Sequence, residues 1–417
     1  MAPSLRKLHL VLTGRCNLRC AYCYQNRRSR GRMRWETLCE GLALAAASPA
    51  KELHLVFSGG EPLLEMPLIR RAVRLARTLR PEPGALRLAV ITNGTLLRPE
   101  TASYLVDQGF EVLLSFDGSP AAQDLRGRGT FAILDRRLEE LRRDHPAFLR
   151  RGLTVAVTLT PRTIGGLAGA IRYLNWKGVR RITVYPVIGP APGWSEARHR
   201  LLLAQFEKIV ELSVGLHGAG GQIPFLALRA PEHRPPPRRS PVTRAPGRPQ
   251  GSRRSDALCG AGHGEALTLG PDGEIAPCAL WLESLQEHPE MLRSRLEPLG
   301  LGTVGSEGLL ERMASLKDLV TQVDLFNRRE RKRSAYGRCA TCRYREDCAV
   351  CPVAIALAPG NRDPHRIPDF HCAYNRAVLA AREEFQRRVS RRASPRGGSG
   401  RVAAHGGAAS RRVRSGP

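Results

Sequence analysis

The sequence predicts an α/β fold, a partial (β/α)6 TIM-like barrel followed by a small cysteine-rich domain. Three observations carry that prediction. Over residues 5–218, apolar runs of strand length alternate six times with segments of helical periodicity. Short glycine-containing or polar stretches follow most of the strand candidates. Seven of the eleven cysteines fall after Ser255.

The strand candidates are residues 7–14, 52–58, 86–92, 110–116, 152–160 and 181–188. Between them the spacing predicts helices over 34–47, 67–79, 99–108, 131–144 and 163–177. Strands separated by helices need crossover connections and therefore pair in parallel. In parallel α/β folds, sites form where strands end, so the residues just after each run are the informative ones.

After the first strand comes Cys16-Asn17-Leu18-Arg19-Cys20-Ala21-Tyr22-Cys23. Three thiolates are one too few for a closed tetrahedral metal site and leave a position open for another molecule. A zinc knuckle with a distant fourth ligand, or three unrelated buried cysteines, is the alternative reading. Cys39, alone within a helical segment, reads as a small buried hydrophobe. The second strand ends in Ser58-Gly59-Gly60-Glu61-Pro62, where two glycines allow close backbone approach and Glu61 or nearby carbonyls can accept bonds from an ammonium group. Asn93 follows the third strand, and Ser115 and Asp117 follow the fourth. These short polar groups can bond ribose hydroxyls or carboxylate oxygens, or simply form turns. Thr158 and Thr160 end the fifth strand, and Tyr185-Pro186 lies in the sixth, where the ring faces a ligand or the core.

A chain of 417 residues is long enough for a sizeable core, two folded units and tails. Nothing in it reads as a transmembrane span or secretory signal, which points to the cytoplasm, where eleven cysteines argue for metal ligation over disulfides. The net charge of +28 is concentrated. Residues 229–255 hold eight Arg against Glu232, and residues 387–417 hold nine Arg with no Asp or Glu. Both stretches have the composition of disordered chain, a linker or insertion and a basic tail. Neither contains an aromatic residue to stack on bases, so a solvated Arg-biased segment is the preferred reading over an arm for nucleic acid.

Residues 256–376 carry the second cysteine set. Cys259 and Cys278 bracket an apparent hairpin turned by Gly270-Pro271-Asp272-Gly273. Cys339, Cys342, Cys348, Cys351 and Cys372 follow. Seven cysteines exceed the need of one tetrahedral ion, so two metal centres are implied; a pair of structural zinc sites is the alternative.

The loop of Cys16, Cys20 and Cys23, with an aromatic at Tyr22, resembles the signature of the radical S-adenosylmethionine (radical SAM) family. That resemblance implies that the three cysteines hold a [4Fe-4S] cluster whose open iron is chelated by the methionine moiety of S-adenosyl-L-methionine. Gly59, Gly60, Glu61 and Pro62 are similar to the family's GGEP motif, which holds the amino group. Ser115 and Asp117 are similar to its ribose-contacting S-x-D motif, with Asn93 and Thr158 placed as further cofactor contacts; Thr158 departs from the usual Asn. The later cysteines resemble the SPASM extension. Cys259, Gly273 and Cys278 fit its first part, with thirteen residues before the glycine and four after it. Cys348 and Cys351 are separated by two residues, one fewer than the extension's pattern. By this resemblance Cys339, Cys342, Cys348 and Cys372 enclose a distal auxiliary [4Fe-4S] cluster, and Cys259, Cys278 and Cys351 bind a nearer one. The nearer cluster then has an open iron, or is completed by His263, Glu265 or a substrate thiol.

The implied reaction is reductive cleavage of S-adenosylmethionine to methionine and a 5′-deoxyadenosyl radical, fed by a flavodoxin- or ferredoxin-type electron donor. The implied substrate is a peptide or protein side chain, as in maturases of ribosomally made peptides that form thioethers, carbon-carbon links or oxidised residues. The first strand begins almost at the amino terminus, so a separate leader-peptide recognition protein, or the linker, is expected to present the peptide. The rivals are an anaerobic sulfatase-maturating enzyme, an RNA-modifying radical enzyme and a non-catalytic metal scaffold.

Overall fold

The structure is a computed structural model and describes residues 4–25, 31–82, 84–229, 265–285 and 287–393. Six parallel strands pair in chain order: β1 (Lys7–Thr13), β2 (Leu53–Gly59), β3 (Leu86–Thr92), β4 (Phe110–Ser115), β5 (Leu153–Leu159) and β6 (Ile182–Pro186). Between them run α1 (Trp35–Ala46), α2 (Met66–Leu79), α3 (Pro99–Asp107), α4 (Pro120–Gln123), α5 (Thr130–Asp144), α6 (Pro146–Arg151) and α7 (Leu167–Trp176). The expected partial barrel is therefore present. The sixth strand stops two residues early, although the Val187 amide still bonds the Leu159 carbonyl at 2.9 Å.

Side-chain alternation sorts the strands into two faces. Leu8, Leu10, Leu12, Leu53, Leu55 and Phe57 are fully buried in the main core. Lys7, His9, His54 and Ser58 occupy the opposite face, the inside of the barrel. α2 buries Leu68, Ile69, Ala72, Val73 and Ala76, a single stripe at helical spacing.

The cysteine-rich region is joined to this sheet. The expected hairpin forms as β7 (Ala266–Leu269) and β8 (Ile275–Ala276), and Gly273 supplies the positive φ of +87° that its turn requires. β7 lies parallel to β1, from Lys7 opposite Ala266 to Leu10 opposite Leu269, and extends the sheet to eight strands.

The remaining elements are α8 (Glu196–Gly218), α9 (Glu290–Leu296), α10 (Leu309–Gln322), β9 (Arg333–Ser334), β10 (Gly337–Arg338), α11 (Pro352–Ala356) and α12 (Asp369–Ala393). α12 packs on α8, with Phe206 and Tyr374 in edge contact at 6.0 Å, and Tyr374 donates to the Val184 carbonyl of β6 at 2.6 Å. This corrects the expected tail from residue 387, because residues 387–393 complete α12. Phe385 and Val389 give that turn an apolar face, and Glu384 pairs with Arg387 and Arg388 at helical spacing. Arg229, placed at the start of the linker, instead donates to the carbonyls of Ile223 and Arg180. Residues 230–255 and 394–417 lie outside the described residues. Among the described residues, no helix is long and apolar enough to cross a membrane.

Candidate active site

The three cysteines sit on the loop leaving β1, Cys16 and Cys23 exposed and Cys20 half-buried. Their thiolate charges act on one another, and burial pushes the Cys20 thiol up to about 11. The loop is held from below by the glycine pair. Gly60 donates its amide to the Thr13 carbonyl at 2.8 Å, and Glu61 to the Arg15 carbonyl at 2.9 Å. A Cβ on Gly59 would stand 2.3 Å from the Thr13 oxygen, and one on Gly60 would stand 2.2 Å from the Arg15 oxygen. Both glycines are thus required by the approach of the cysteine loop itself. From the side, Asn93 donates to the Asn17 side chain at 2.9 Å and to the Cys16 sulfur at 3.8 Å. The Ala21 amide reaches the Leu125 carbonyl at 2.7 Å.

Glu61 points inward rather than to the open face. Its carboxylate accepts from the Leu63 amide at 3.1 Å, the Thr92 hydroxyl at 2.7 Å and the Asn93 amide at 2.7 Å, so it stitches the loops after β2 and β3 together. An ammonium group at this edge would therefore meet backbone carbonyls. Pro62 starts the short 3-10 turn that Glu61 caps. Burial outweighs those donors and raises the Glu61 pKa from 4.5 to about 7. Between those values the folded chain holds a proton that the unfolded chain has lost, so stability falls as pH rises through that window. The loss is at most about 3 kcal/mol. Melting of wild type and Glu61→Gln without ligand should therefore differ in slope from pH 4.5 to 7, with wild type the steeper. Parallel curves would contradict this assignment.

Asp117 is engaged on all sides. It accepts from Arg126 Nε at 2.9 Å and Nη2 at 3.0 Å, from the Thr158 amide at 2.8 Å, and from the Tyr22 hydroxyl. Those four bonds fill the acceptor positions of a carboxylate. All four come from protein groups, and Tyr22 is turned toward Asp117. Thr158 joins the same network, its hydroxyl accepting from Arg126 at 2.9 Å. Ser115 is half-buried at the end of β4. Sequence reasoning missed Arg126, since a basic residue nine positions beyond a strand-end carboxylate has no characteristic spacing. It also missed Gln25, whose side chain donates to the Gly59 carbonyl at 2.9 Å.

Tyr24 and Tyr185 are each 38 % exposed, and both phenol pKa values are raised by burial. His9 bonds Ser58 at 2.5 Å, and burial lowers its pKa to about 3, keeping the ring neutral.

In the cysteine-rich unit, Cys339, Cys342, Cys348 and Cys372 influence one another electrostatically, and Cys278 acts on Cys351. Burial pushes Cys339 and Cys351 up to about 11 and Cys348 to about 12. Iron takes thiolates, so a cluster bound here would displace these protons. Arg329 donates to the Cys348 carbonyl at 3.0 Å. The buried Lys332 ammonium gathers the carbonyls of Asp324, Leu325 and Pro364 at 2.7, 3.1 and 2.8 Å, while its own carbonyl receives the Cys339 amide at 2.9 Å. Cys259 and His263 lie outside the described residues. The Glu265 carbonyl receives the amides of Arg6 and Lys7. Among the described residues, no three Cys, His, Asp or Glu side chains converge as tightly as a single metal ion requires. The first loop still has the donor chemistry of a multi-iron group: three sulfurs, close enough to interact, on a backbone braced from two sides.

Residues 10–156 match the Radical SAM superfamily model. The serine-type anaerobic sulfatase-maturating enzyme of Klebsiella aerogenes is 31% identical over 137 residues, 30% of this chain and 34% of that protein, so the match spans about a third of the relative's length. A solved structure of native anSMEcpe with bound AdoMet and Kp18Cys peptide aligns with a TM-score of 0.66 at 17% identity, covering 92% of this chain and 98% of that one. Streptococcus suis SuiB bound to precursor peptide SuiA aligns with a TM-score of 0.54 at 14% identity, over 89% and 76% of the two chains. At such identities the structural matches speak for the fold. Together with the braced three-cysteine loop at the strand ends, the family match shows a radical SAM domain over residues 10–156, followed in the chain by a SPASM-like cysteine-rich unit.

Proposed function

We propose that this protein cleaves S-adenosylmethionine reductively and uses the resulting radical to modify a side chain of a peptide or protein substrate. The observation that carries the proposal is the loop of Cys16, Cys20 and Cys23, fixed by Gly60 and Asn93 at the carboxyl edge of six parallel strands. When bound, S-adenosylmethionine and a four-iron cluster supply a 5′-deoxyadenosyl radical by one-electron cleavage of a carbon-sulfur bond. The chain's own work is positional. Gly59 and Gly60 admit the loop, the Arg126–Asp117 pair fixes Tyr22, and the barrel wall keeps water from the reacting hydrogen. Cys278 and Cys351 with Cys259, and the set of Cys339, Cys342, Cys348 and Cys372, are the proposed ligands of two auxiliary clusters, suited to accepting an electron in a net oxidation or to holding substrate. A peptide substrate is supported by likeness to folds solved with peptides bound. A dedicated electron carrier and a separate leader-binding protein complete the proposed set of partners.

Oxidation of Cys or Ser in a sulfatase to formylglycine is the second reading, favoured by the 31% identity to a maturase of that type. The resemblance to that group calls for a further cysteine between Cys259 and Cys278, and none is present.

Iron and sulfide analysis with anaerobic assay of 5′-deoxyadenosine tests the proposal, on wild type and on the Cys16→Ala, Cys20→Ala, Cys23→Ala triple variant. About twelve irons should fall to about eight, with all product lost. Zinc in place of iron, or undiminished product in the variant, would overturn it and leave a metal scaffold. An anaerobic assay on a sulfatase-derived Cys or Ser peptide separates the two readings of the substrate.

A further inference from the structure

α2 carries its charge on one side only. Its buried stripe faces the core, and the opposite side holds Arg70, Arg71, Arg74 and Arg77, all exposed. The helix contains no Asp or Glu. Arg70, Arg74 and Arg77 stand at i, i+4 and i+7 and form one row, and like charges at that spacing oppose the helix. Among the described residues, no ion pair engages any of the four. Their side chains are nonetheless held. The Arg70 guanidinium lies 3.8 Å from the ring centroid of Tyr104 on α3, that of Arg71 lies 3.9 Å from the ring centroid of Trp35 on α1, and Arg77 donates to the Gln108 carbonyl at 3.4 Å. Burial raises the Tyr104 phenol pKa, and the charges that oppose it are Arg70, Arg77 and Arg74, with no carboxylate acting beside them. Glu36 and Glu40 share the surroundings of Arg71 at Cys39, so the row of three is the unopposed part of this face. A guanidinium stacked on a ring keeps its N–H edges outward, ready for carboxylates.

The row starts at the candidate active site. Glu61 and Pro62 lead towards α2, and Glu65, the residue before the helix, accepts from Arg32 at the end of the cysteine loop at 2.7 Å. α2 runs from the carboxyl edge of the strands to their amino edge, which puts Arg70 about 6 Å and Arg77 about 17 Å below Met66. The rim above is the one that carries the exposed Cys16 and Cys23.

We propose that the outer face of α2, at Arg70, Arg74 and Arg77, is the docking surface for a small acidic one-electron carrier of flavodoxin or ferredoxin type, seated with its redox group at the rim of the cysteine loop. The proposal rests on the reading of that loop as the place where an electron enters. In the exchange the carrier is oxidised by one electron, and the centre held by Cys16, Cys20 and Cys23 is reduced by one. Carboxylates on the carrier find three guanidinium groups already fixed and free of competing carboxylates, an arrangement that speeds encounter and sets orientation. Nucleic acid is the other polyanion that a basic face could take. The two rings here, Tyr104 and Trp35, are already covered by Arg70 and Arg71, which leaves no platform for bases and favours a protein partner.

The test measures binding of a purified flavodoxin and a purified two-cluster ferredoxin to the full chain by biolayer interferometry, beside 5′-deoxyadenosine formed with either carrier or with dithionite. Wild type is compared with the triple variant Arg70→Glu, Arg74→Glu, Arg77→Glu. The control is Arg136→Glu, Arg162→Glu, Arg172→Glu, the same charge change at exposed positions on α5, after β5 and on α7. Wild type should bind at least one carrier, more weakly as salt rises toward 1 M, where the screening length is about 3 Å. The Kd should be at least about tenfold weaker in the α2 variant and unchanged in the control. Carrier-driven cleavage should slow in parallel, and dithionite-driven cleavage should stay at the wild-type rate. Equal binding by wild type and the α2 variant would overturn the proposal, as would an equal loss in the control or a wild type that binds neither carrier. A fall in dithionite-driven cleavage as large as the carrier-driven one would overturn it too, since the substitutions would then act on the site itself. Transfer RNA bound by wild type and lost from the α2 variant, with carrier binding intact, would reassign the face to nucleic acid. A wild type that binds a carrier through α2 yet forms no 5′-deoxyadenosine with dithionite would instead sink the proposed reaction and leave the docking face standing.

Discussion

Replacing Gly60 with alanine should empty the first cysteine loop while leaving the rest of the molecule folded. The new Cβ would lie 2.2 Å from the Arg15 oxygen, 2.5 Å from its carbonyl carbon and 2.9 Å from the Gly14 oxygen. All three are backbone atoms, so no flexible side chain can move aside. Either the loop after β1 or the turn after β2 must shift, and the bonds from Gly60 to Thr13 and from Glu61 to Arg15 go with it. The cysteines are then no longer held in the geometry of one cluster, where displacements of about an ångström are costly to catalysis. Iron should fall by about four per chain, 5′-deoxyadenosine should become undetectable, and the auxiliary spectrum should persist. Gly169→Ala in α7, where nothing lies within 4 Å of the added carbon, is the control and should be neutral or slightly stabilising. Iron and product both at wild-type levels in Gly60→Ala would mean that the loop is braced elsewhere.

Arg126→Met carries the largest expected cost in stability. It leaves Asp117, 1 % exposed, as a buried carboxylate without its cation. Breaking such a pair from one side costs about 3–5 kcal/mol. Because Tyr22 and the Thr158 amide also end on Asp117, the loss should loosen the far side of the cysteine loop and reduce cofactor cleavage as well as lowering the melting temperature. Arg126→Lys should not restore it. A single ammonium cannot reproduce the two-pronged contact with Asp117 and the third bond to Thr158. Removing both partners, as in Arg126→Met with Asp117→Leu, should be milder than Arg126→Met alone, since no uncompensated charge remains. Urea unfolding of the cluster-free variants checks the order; a single variant within about 1 kcal/mol of wild type would show that solvent reaches this pair.

The parts of this architecture that were legible in the sequence are those in which one residue's chemistry suffices. The strands from β1 to β6 announce themselves by apolar runs, the helices by period, and the cysteine loop by its spacing. The roles of Glu61, Asp117 and Tyr22 were harder to read, because motif positions report what kind of atom is present but not where it points. Each of these side chains turned to protein partners supplied by other loops, Thr92 and Asn93 for Glu61, Arg126 and Thr158 for Asp117. Those partners are remote in sequence and carry no pattern of their own. Lys7 and His9 were hidden for a related reason, since a polar residue in an alternating strand reads as solvent-facing, and here burial lowers the pKa of both. The last turns of α12 were concealed by Arg-rich composition, although Phe385 and Val389 kept an apolar stripe.

The pairing of β1 with β7 has a consequence for how the chain comes into being. β1 is made first, but its partner on that edge emerges about 250 residues later, a delay of roughly 10 to 50 s at ordinary ribosome speeds. Through that interval one flank of the earliest strand, apolar at Leu8, Leu10 and Leu12, presents unpaired amides and carbonyls to whatever else is in reach. The nascent barrel thus waits on its own last third, and a ribosome stalled before Ala266 would release a sheet with an adhesive margin.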